Sequence, residues 1–183
     1  MVSDRPLRAD ARRNRDRILA AAREAFAESG FAVPLDDIAA RAGVGPGTVY
    51  RHFPDKSALF GAVVTARVSD LVSEARHRAS DDEPGAAFFG FLTRVAQEAA
   101  AKRDLPDAIA VPGPLREALH EAMSVLLHRA QECSAVRGDI TTDDLIALLK
   151  SLVTAVADSP SPGRADRILA VVVDGLRASP PKR

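Results

Sequence analysis

Apolar residues return along this chain at helical spacing, in blocks parted by short runs of Gly, Pro, Ser and Asp. The first block, Ala11 to Ser29, sets Ile18, Leu19, Ala22, Ala25 and Phe26 on one face and ends at Gly30. Two short blocks follow. In Leu35–Ala42 the residues Leu35, Ile38, Ala39 and Ala42 form a stripe, and in Pro46–Phe53 the residues Val49 and Phe53 stand one turn apart. A fourth block, Lys56 to Ala79, carries Leu59, Phe60, Val63, Val64, Val68 and Leu71. A fifth, Ala86 to Arg103, carries Phe88, Phe89, Phe91, Leu92 and Val95. A connector punctuated by Pro and Gly then leaves room for one short helix in LPDAIA (Leu105–Ala110). Leu115 to Ala135 places Leu119, Met123, Leu126, Leu127 and Ala130 on one stripe. The last two blocks, Asp143 to Ala157 and Arg164 to Ala178, are apolar over more than one face. Alternation of β-branched residues is scarce. The pattern predicts an all-α protein of about nine helices.

The two short blocks are the most informative. Gly43 reaches the left-handed conformation without steric cost and so can end the first of them. Val44 can plug the inside of the turn, and Pro46 suits the first position of the next helix, where no amide donor is needed. With Val49 and Phe53 turned inward beside Phe26, Phe31 and Ile38, the residues Gly47, Thr48, Tyr50, Arg51 and His52 are left outside. That face is small at its start, then hydroxylated, aromatic and basic. Such a face fits a major groove and contacts phosphates on its flanks. Pro54 breaks the helix and Asp55 or Ser57 caps the next, which sets Lys56 at a helix N-terminus as a candidate phosphate clamp.

Composition narrows the partners. The 183 residues carry 25 basic and 25 acidic side chains, a formal net charge of zero. Non-specific coating of nucleic acid is therefore not expected, and DNA binding must rest on local asymmetry. The first segment supplies it, with Arg5, Arg8, Arg12, Arg13, Arg15 and Arg17 against Asp4, Asp10 and Asp16. Arginines at the start of a helix oppose its dipole, which points to an external anion for some of them, while most form an ordinary solvated face. Residues 1–10 read as a disordered basic arm, either reaching DNA or merely solvated. The single Cys133 excludes an internal disulfide. Glu117-x-x-His120 resembles half of a bundle metal site, and His128 lies two turns further on. No second such pair completes it, so neither metal nor cofactor is expected. No run has the length of a membrane span, and the charged N-terminus lacks a signal-peptide core, which makes a cytoplasmic protein the expectation. No nucleophile–base pair or paired acids appear, so an enzyme is not expected.

The stretch DDIAARAGVGPGTVYRHFPDKSALF resembles the DNA-binding motif of the TetR family of transcriptional regulators. G-V-x-x-G-T-V-Y-R-H-F followed by D-K-x-x-L-F is far more specific than a generic helix-turn-helix. The later region, from AAAKRDLPDAIA through AVRGDITTDDLIALL to RADRILAVVVDGLRA, is similar to the effector domain of the SbtR-like branch, so the resemblance covers residues 12–178. It implies a DNA-binding domain at 11–55 with the helix-turn-helix at 34–53, a helical ligand-binding and dimerisation domain at 56–178, and a disordered tail at 179–183. It implies a repressor that binds a pseudo-palindromic double-stranded operator. Arg13, Gly45, Pro46, Gly47, Thr48, Tyr50, Arg51, His52 and Lys56 are its candidate DNA contacts, with Arg51 as the reader of a guanine edge. The chain departs from the family at FAVPLDDIA, where many members carry Thr or Ser in place of Pro34 or Leu35. A hydroxyl cap on that helix is lost, although Asp36 still favours its start.

Two further sets concern the body. Val64, Phe88, Phe91, Leu92, Val95, Leu119 and Met123 are candidates to line a cavity for an unknown small-molecule effector; the alternative is that the phenylalanines only pack the core. The two final apolar helices carry more hydrophobic surface than one core needs. Leu145, Leu149, Leu152, Ile168, Val172 and Leu176 are therefore candidates for a homodimeric four-helix bundle. The rival functions are a helical small-molecule-binding or enzymatic protein without DNA binding, and a plain dimerisation module.

Overall fold

The computed structural model describes residues 5–100, 111–157 and 163–178. Eight α-helices fall among them: α1 Arg5–Ser29, α2 Leu35–Ala42, α3 Pro46–His52, α4 Lys56–Arg78, α5 Pro84–Ala100, α6 Gly113–Glu132, α7 Thr142–Ala157 and α8 Arg164–Leu176. The short helix expected at Leu105–Ala110 and the tail 179–183 lie outside the described residues. Helix α1 begins at Arg5 rather than Ala11, so only residues 1–4 of the expected arm lie before it, also outside the described residues. Pro6 does not prevent this, because a first-turn residue has no intrahelical amide bond to lose.

The chain divides into two compact units and first passes from one to the other between Ala66 and Arg67, inside α4. That is later than the Lys56 expected, because Leu59, Phe60 and Val63 of α4 belong to the first unit's core.

In the first unit, α1, α2, α3 and the start of α4 enclose Ile18, Ala22, Ala25, Phe26, Ile38, Val49, Phe53 and Leu59. Phe26, Phe31 and Phe60 form an aromatic cluster with centroids 5.2 to 6.0 Å apart, two of the three pairs edge to face. A 3-10 turn, Gly30–Ala32, links α1 to α2, and Gly30 takes φ +65 there. Pro34 precedes α2 in extended conformation and offers no side-chain cap, while Asp36 and Asp37 supply negative charge to the first turn.

In the second unit Phe88, Phe91, Leu92 and Val95 of α5 pack with Ala122, Met123, Leu126 and Leu127 of α6, Val72 and Ala75 of α4, Leu145 and Leu176. A smaller cluster joins Ala96 and Leu152 with Ile168, Leu169 and Val172. Val136 and Arg177 form an antiparallel bridge. Arg137 N–H donates to Leu176 O at 3.0 Å and Ala178 N–H to Ala135 O at 3.2 Å, tying the end of α8 to the turn after α6.

The dimer candidates divide here. Leu145, Leu152 and Leu176 are buried in the chain's own cores, and Leu149, Ile168 and Val172 are half-buried against them. Those side chains are what makes α7 and α8 apolar on a second face. The face left to solvent carries instead Leu148, 37% exposed, and Val171, 73% exposed.

Candidate nucleic-acid interface

The α2–α3 turn is closed by backbone geometry. Gly43 takes φ 62 and ψ 39, its N–H reaching Ala40 O at 3.1 Å while Val44 N–H reaches Ala39 O at 3.0 Å. Gly45 is extended, Pro46 opens α3, and Thr48 N–H donates to Gly45 O at 2.8 Å. Val49 is fully buried and Phe53 nearly so, as the periodicity predicts. Phe53 closes the helix through its N–H to Val49 O at 2.8 Å.

The other side of α3 faces outward. Gly45, Pro46, Gly47 and Arg51 are exposed, Thr48 and His52 half-buried, and Tyr50 is 51% exposed. A Cβ added at Gly45 or Gly47 would meet no atom within 4 Å. Neither residue has a positive φ among the glycines that do. The protein's own packing therefore requires glycine at neither position. Gly47 is nonetheless costly within a helix.

The cations are less uniformly outward than their sequence pattern. Arg51 folds back along α3, with Nε 3.2 Å from Gly47 O and Nη2 3.0 Å from Thr48 Oγ1. Arg13 is exposed and paired with Asp10. Arg15 lies over the Phe53 ring, 4.6 Å from its centroid. Arg41 bonds Glu28 at 2.6 Å, which raises its pKa. Asp55 caps α4, accepting from Ala58 N–H at 2.8 Å. Lys56 does not extend its ammonium beside those amides. Its Nζ donates to Phe31 O at 3.0 Å and Ala32 O at 3.3 Å and lies 5.2 Å from the centre of the Phe31 ring.

The role of Arg17 does not show in the sequence pattern. This residue stands among the arginines assigned to DNA, yet Nη2 donates to Ala42 O at 2.6 Å and Gly43 O at 2.8 Å. The only signal was its place beside Ile18, at the edge of the buried stripe.

Of the effector candidates, Phe88, Phe91, Leu92, Val95 and Met123 are buried together in the second unit, with Leu119 packed against them. Val64 packs instead on the first unit's core. Among the described residues no three His, Cys, Asp or Glu side chains are grouped to hold a metal. His120 lies 3.2 Å from Asp143, and His128 lies 3.3 Å from Glu132. Cys133 is exposed, and its Sγ donates to Ala130 O at 3.3 Å. No described helix is long and apolar enough to cross a membrane.

Two short helices about a left-handed glycine, the second presenting hydroxyl, aromatic and basic groups, define a helix-turn-helix protein. Residues 18–63 match the family described as "Bacterial regulatory proteins, tetR family", and residues 83–178 match "Transcriptional regulator SbtR-like, C-terminal domain". The structure is similar to that of a TetR regulatory protein from Mycobacterium vanbaalenii, at 40% identity and a TM-score of 0.71, covering 94% of this chain and 99% of that one. A TetR regulator from Streptomyces coelicolor gives 30% identity and a TM-score of 0.71, over 91% and 99% of the two chains. The transcriptional activator FasR of Mycolicibacterium smegmatis is 43% identical over 63 residues, which are 34% of this chain. That match spans only 29% of FasR's own length. The chain belongs to the TetR family and is a transcriptional regulator with a DNA-binding helix-turn-helix.

Proposed function

We propose that the protein is a homodimeric repressor, non-enzymatic and cytoplasmic, that leaves its operator when a small molecule binds. The carrying observation is the outward face of α3, where Gly45 and Gly47 leave open space beside the exposed Tyr50 and Arg51. On this reading the first unit is a DNA-binding head and the second an effector-binding and dimerisation body. Two copies of α3 enter successive major grooves of a pseudo-palindrome, roughly 34–36 Å apart. Thr48, Tyr50, His52 and Arg13 hold phosphates. Pro46 and the glycines permit close approach. Lys56 takes part through its main-chain N–H at the start of α4, since its ammonium is engaged within the head. Arg51 reads a guanine edge once it leaves Thr48. So small a helix start leaves some recognition to DNA shape.

Dimerisation uses the outward face of α7 and α8, around Leu148 and Val171, with Leu149, Ile168 and Val172 at its margin. The effector lodges in the second unit among Phe88, Phe91, Leu92, Val95, Leu119 and Met123. By linkage, an effector that weakens DNA binding binds the DNA complex less well by the same factor.

The test is titration of the purified protein against the DNA upstream of its own coding region, in a salt series. The expected result is tight, salt-dependent binding, weakened in Tyr50→Phe on every sequence tried. Affinity equal to that for unrelated DNA would favour a helical binding protein without DNA function.

A further inference from the structure

One guanidinium nitrogen, Arg17 Nη2, bonds two consecutive carbonyls, Ala42 O at 2.6 Å and Gly43 O at 2.8 Å. They are the last carbonyl of α2 and that of its left-handed cap. The donors of the turn are already engaged, since Gly43 N–H closes on Ala39 and Ala40 and Val44 N–H on Ala39. The carbonyls at a helix end need partners from elsewhere, and here α1 supplies one. The bonded pair flanks Gly43, whose backbone angles direct the chain from α2 into α3. A Cβ on Gly43 would stand 2.6 Å from Arg17 Nη2. Glycine thus serves both the positive φ and the seat of the guanidinium. A cation at a helix C-terminus is also what the helix dipole favours.

We propose that Arg17 is a positioning residue for DNA recognition: it pins the α2–α3 turn and so sets α3, without contacting phosphate itself. This rests on the reading of α3 as the DNA-contacting helix. The charge of Arg17 is directed at carbonyls of its own head. Its removal acts on affinity through the geometry of α3 and not through release of counterions.

The chain has no Trp and a single Tyr. That residue, Tyr50, lies exposed on α3, so tyrosine emission reports this helix alone. Wild type, Arg17→Ala and Arg17→Lys are compared as full chains, first without DNA, by Tyr50 fluorescence anisotropy alongside far-UV circular dichroism. The expected result is retained helix content, a lower anisotropy in Arg17→Ala and an intermediate value in Arg17→Lys. With the upstream DNA as probe, loss of a charged hydrogen bond lowers affinity about tenfold. The slope of log affinity against log salt stays unchanged. Unaltered Tyr50 anisotropy in Arg17→Ala, or a slope reduced by about one, as for a phosphate contact, overturns the proposal. Should Arg17→Ala not fold, Arg17→Gln keeps an N–H donor without the charge. A lowered anisotropy with unchanged slope then supports the clamp, and a slope lowered by about one defeats it. If wild type shows no preference for the upstream DNA, the regulatory reading fails, while the DNA-free anisotropy still judges the clamp.

Discussion

The ammonium of Lys56 lies 3.0 Å from the carbonyl oxygen of Phe31, holding the start of α4 to the 3-10 turn that leads into α2. A lysine so engaged first serves the fold of the head. Lys56→Ala is expected to destabilise the folded protein by about 1 kcal/mol, the half-buried bond being partly replaced by water. The salt slope of DNA binding should stay as in wild type. Thermal melts and a salt-series titration check the two parts. A slope lower by about one with an unchanged melt would show that the ammonium swings to a phosphate in the complex.

Gly47 offers a case in which stability and binding move in opposite directions. Nothing lies within 4 Å of a Cβ placed there. Gly47→Ala should therefore stabilise α3 by roughly 0.5–1 kcal/mol, from the lower entropy of the unfolded chain. It should weaken DNA binding all the same if α3 docks as proposed, because the added methyl then stands where the DNA backbone approaches. Melting curves and gel-shift titrations on one preparation read both. Tighter or equal DNA binding by the variant would remove close approach as the reason for the glycine.

The helical body and the two-helix motif were legible because their determinants are local. Apolar spacing placed Val49 and Phe53 inside, and Gly43 announced the end of α2. What the sequence hid was tertiary. Among six arginines near the start of the chain, no local pattern distinguishes Arg17, bonded to carbonyls 25 and 26 residues on, from Arg13, paired three residues back. Apolar content on two faces of α7 and α8 suggests a surplus for a partner. Burial of Leu145, Leu152 and Leu176 shows that much of it satisfies the chain's own packing. Periodicity counts apolar faces but does not say which of two faces is inside.

That division separates two kinds of substitution. Leu145 is fully buried, so Leu145→Ala should cost about 2–5 kcal/mol of stability through lost contacts and a cavity. Leu148→Glu and Val171→Glu alter exposed positions and should leave the fold of one chain nearly unchanged while splitting the proposed dimer. Sedimentation at micromolar protein, with circular dichroism as control, checks this. A double variant that remains a dimer places the interface elsewhere.

Acid should act on the start of α7. Asp144 Oδ2 accepts from Thr141 N–H at 3.0 Å and from Thr141 Oγ1 at 2.6 Å, and Asp144 N–H donates back to Thr141 Oγ1 at 3.2 Å. This reciprocal box joins the residue before the helix to the third residue within it. The Thr141 hydroxyl bond, then its main-chain bond, holds the Asp144 carboxyl below the usual carboxylate range. Asp139, bonded by Arg137, is depressed likewise. A depressed folded pKa means that the stabilisation is complete above the pKa of the unfolded chain. It is lost as pH falls through the folded value. Asp144→Ala should therefore melt below wild type by a constant interval near neutrality, and the interval should close in acid as wild type protonates. Paired melts across a pH series decide the matter: an interval that persists below the carboxylate range would mean that the helix start does not depend on the charge of Asp144.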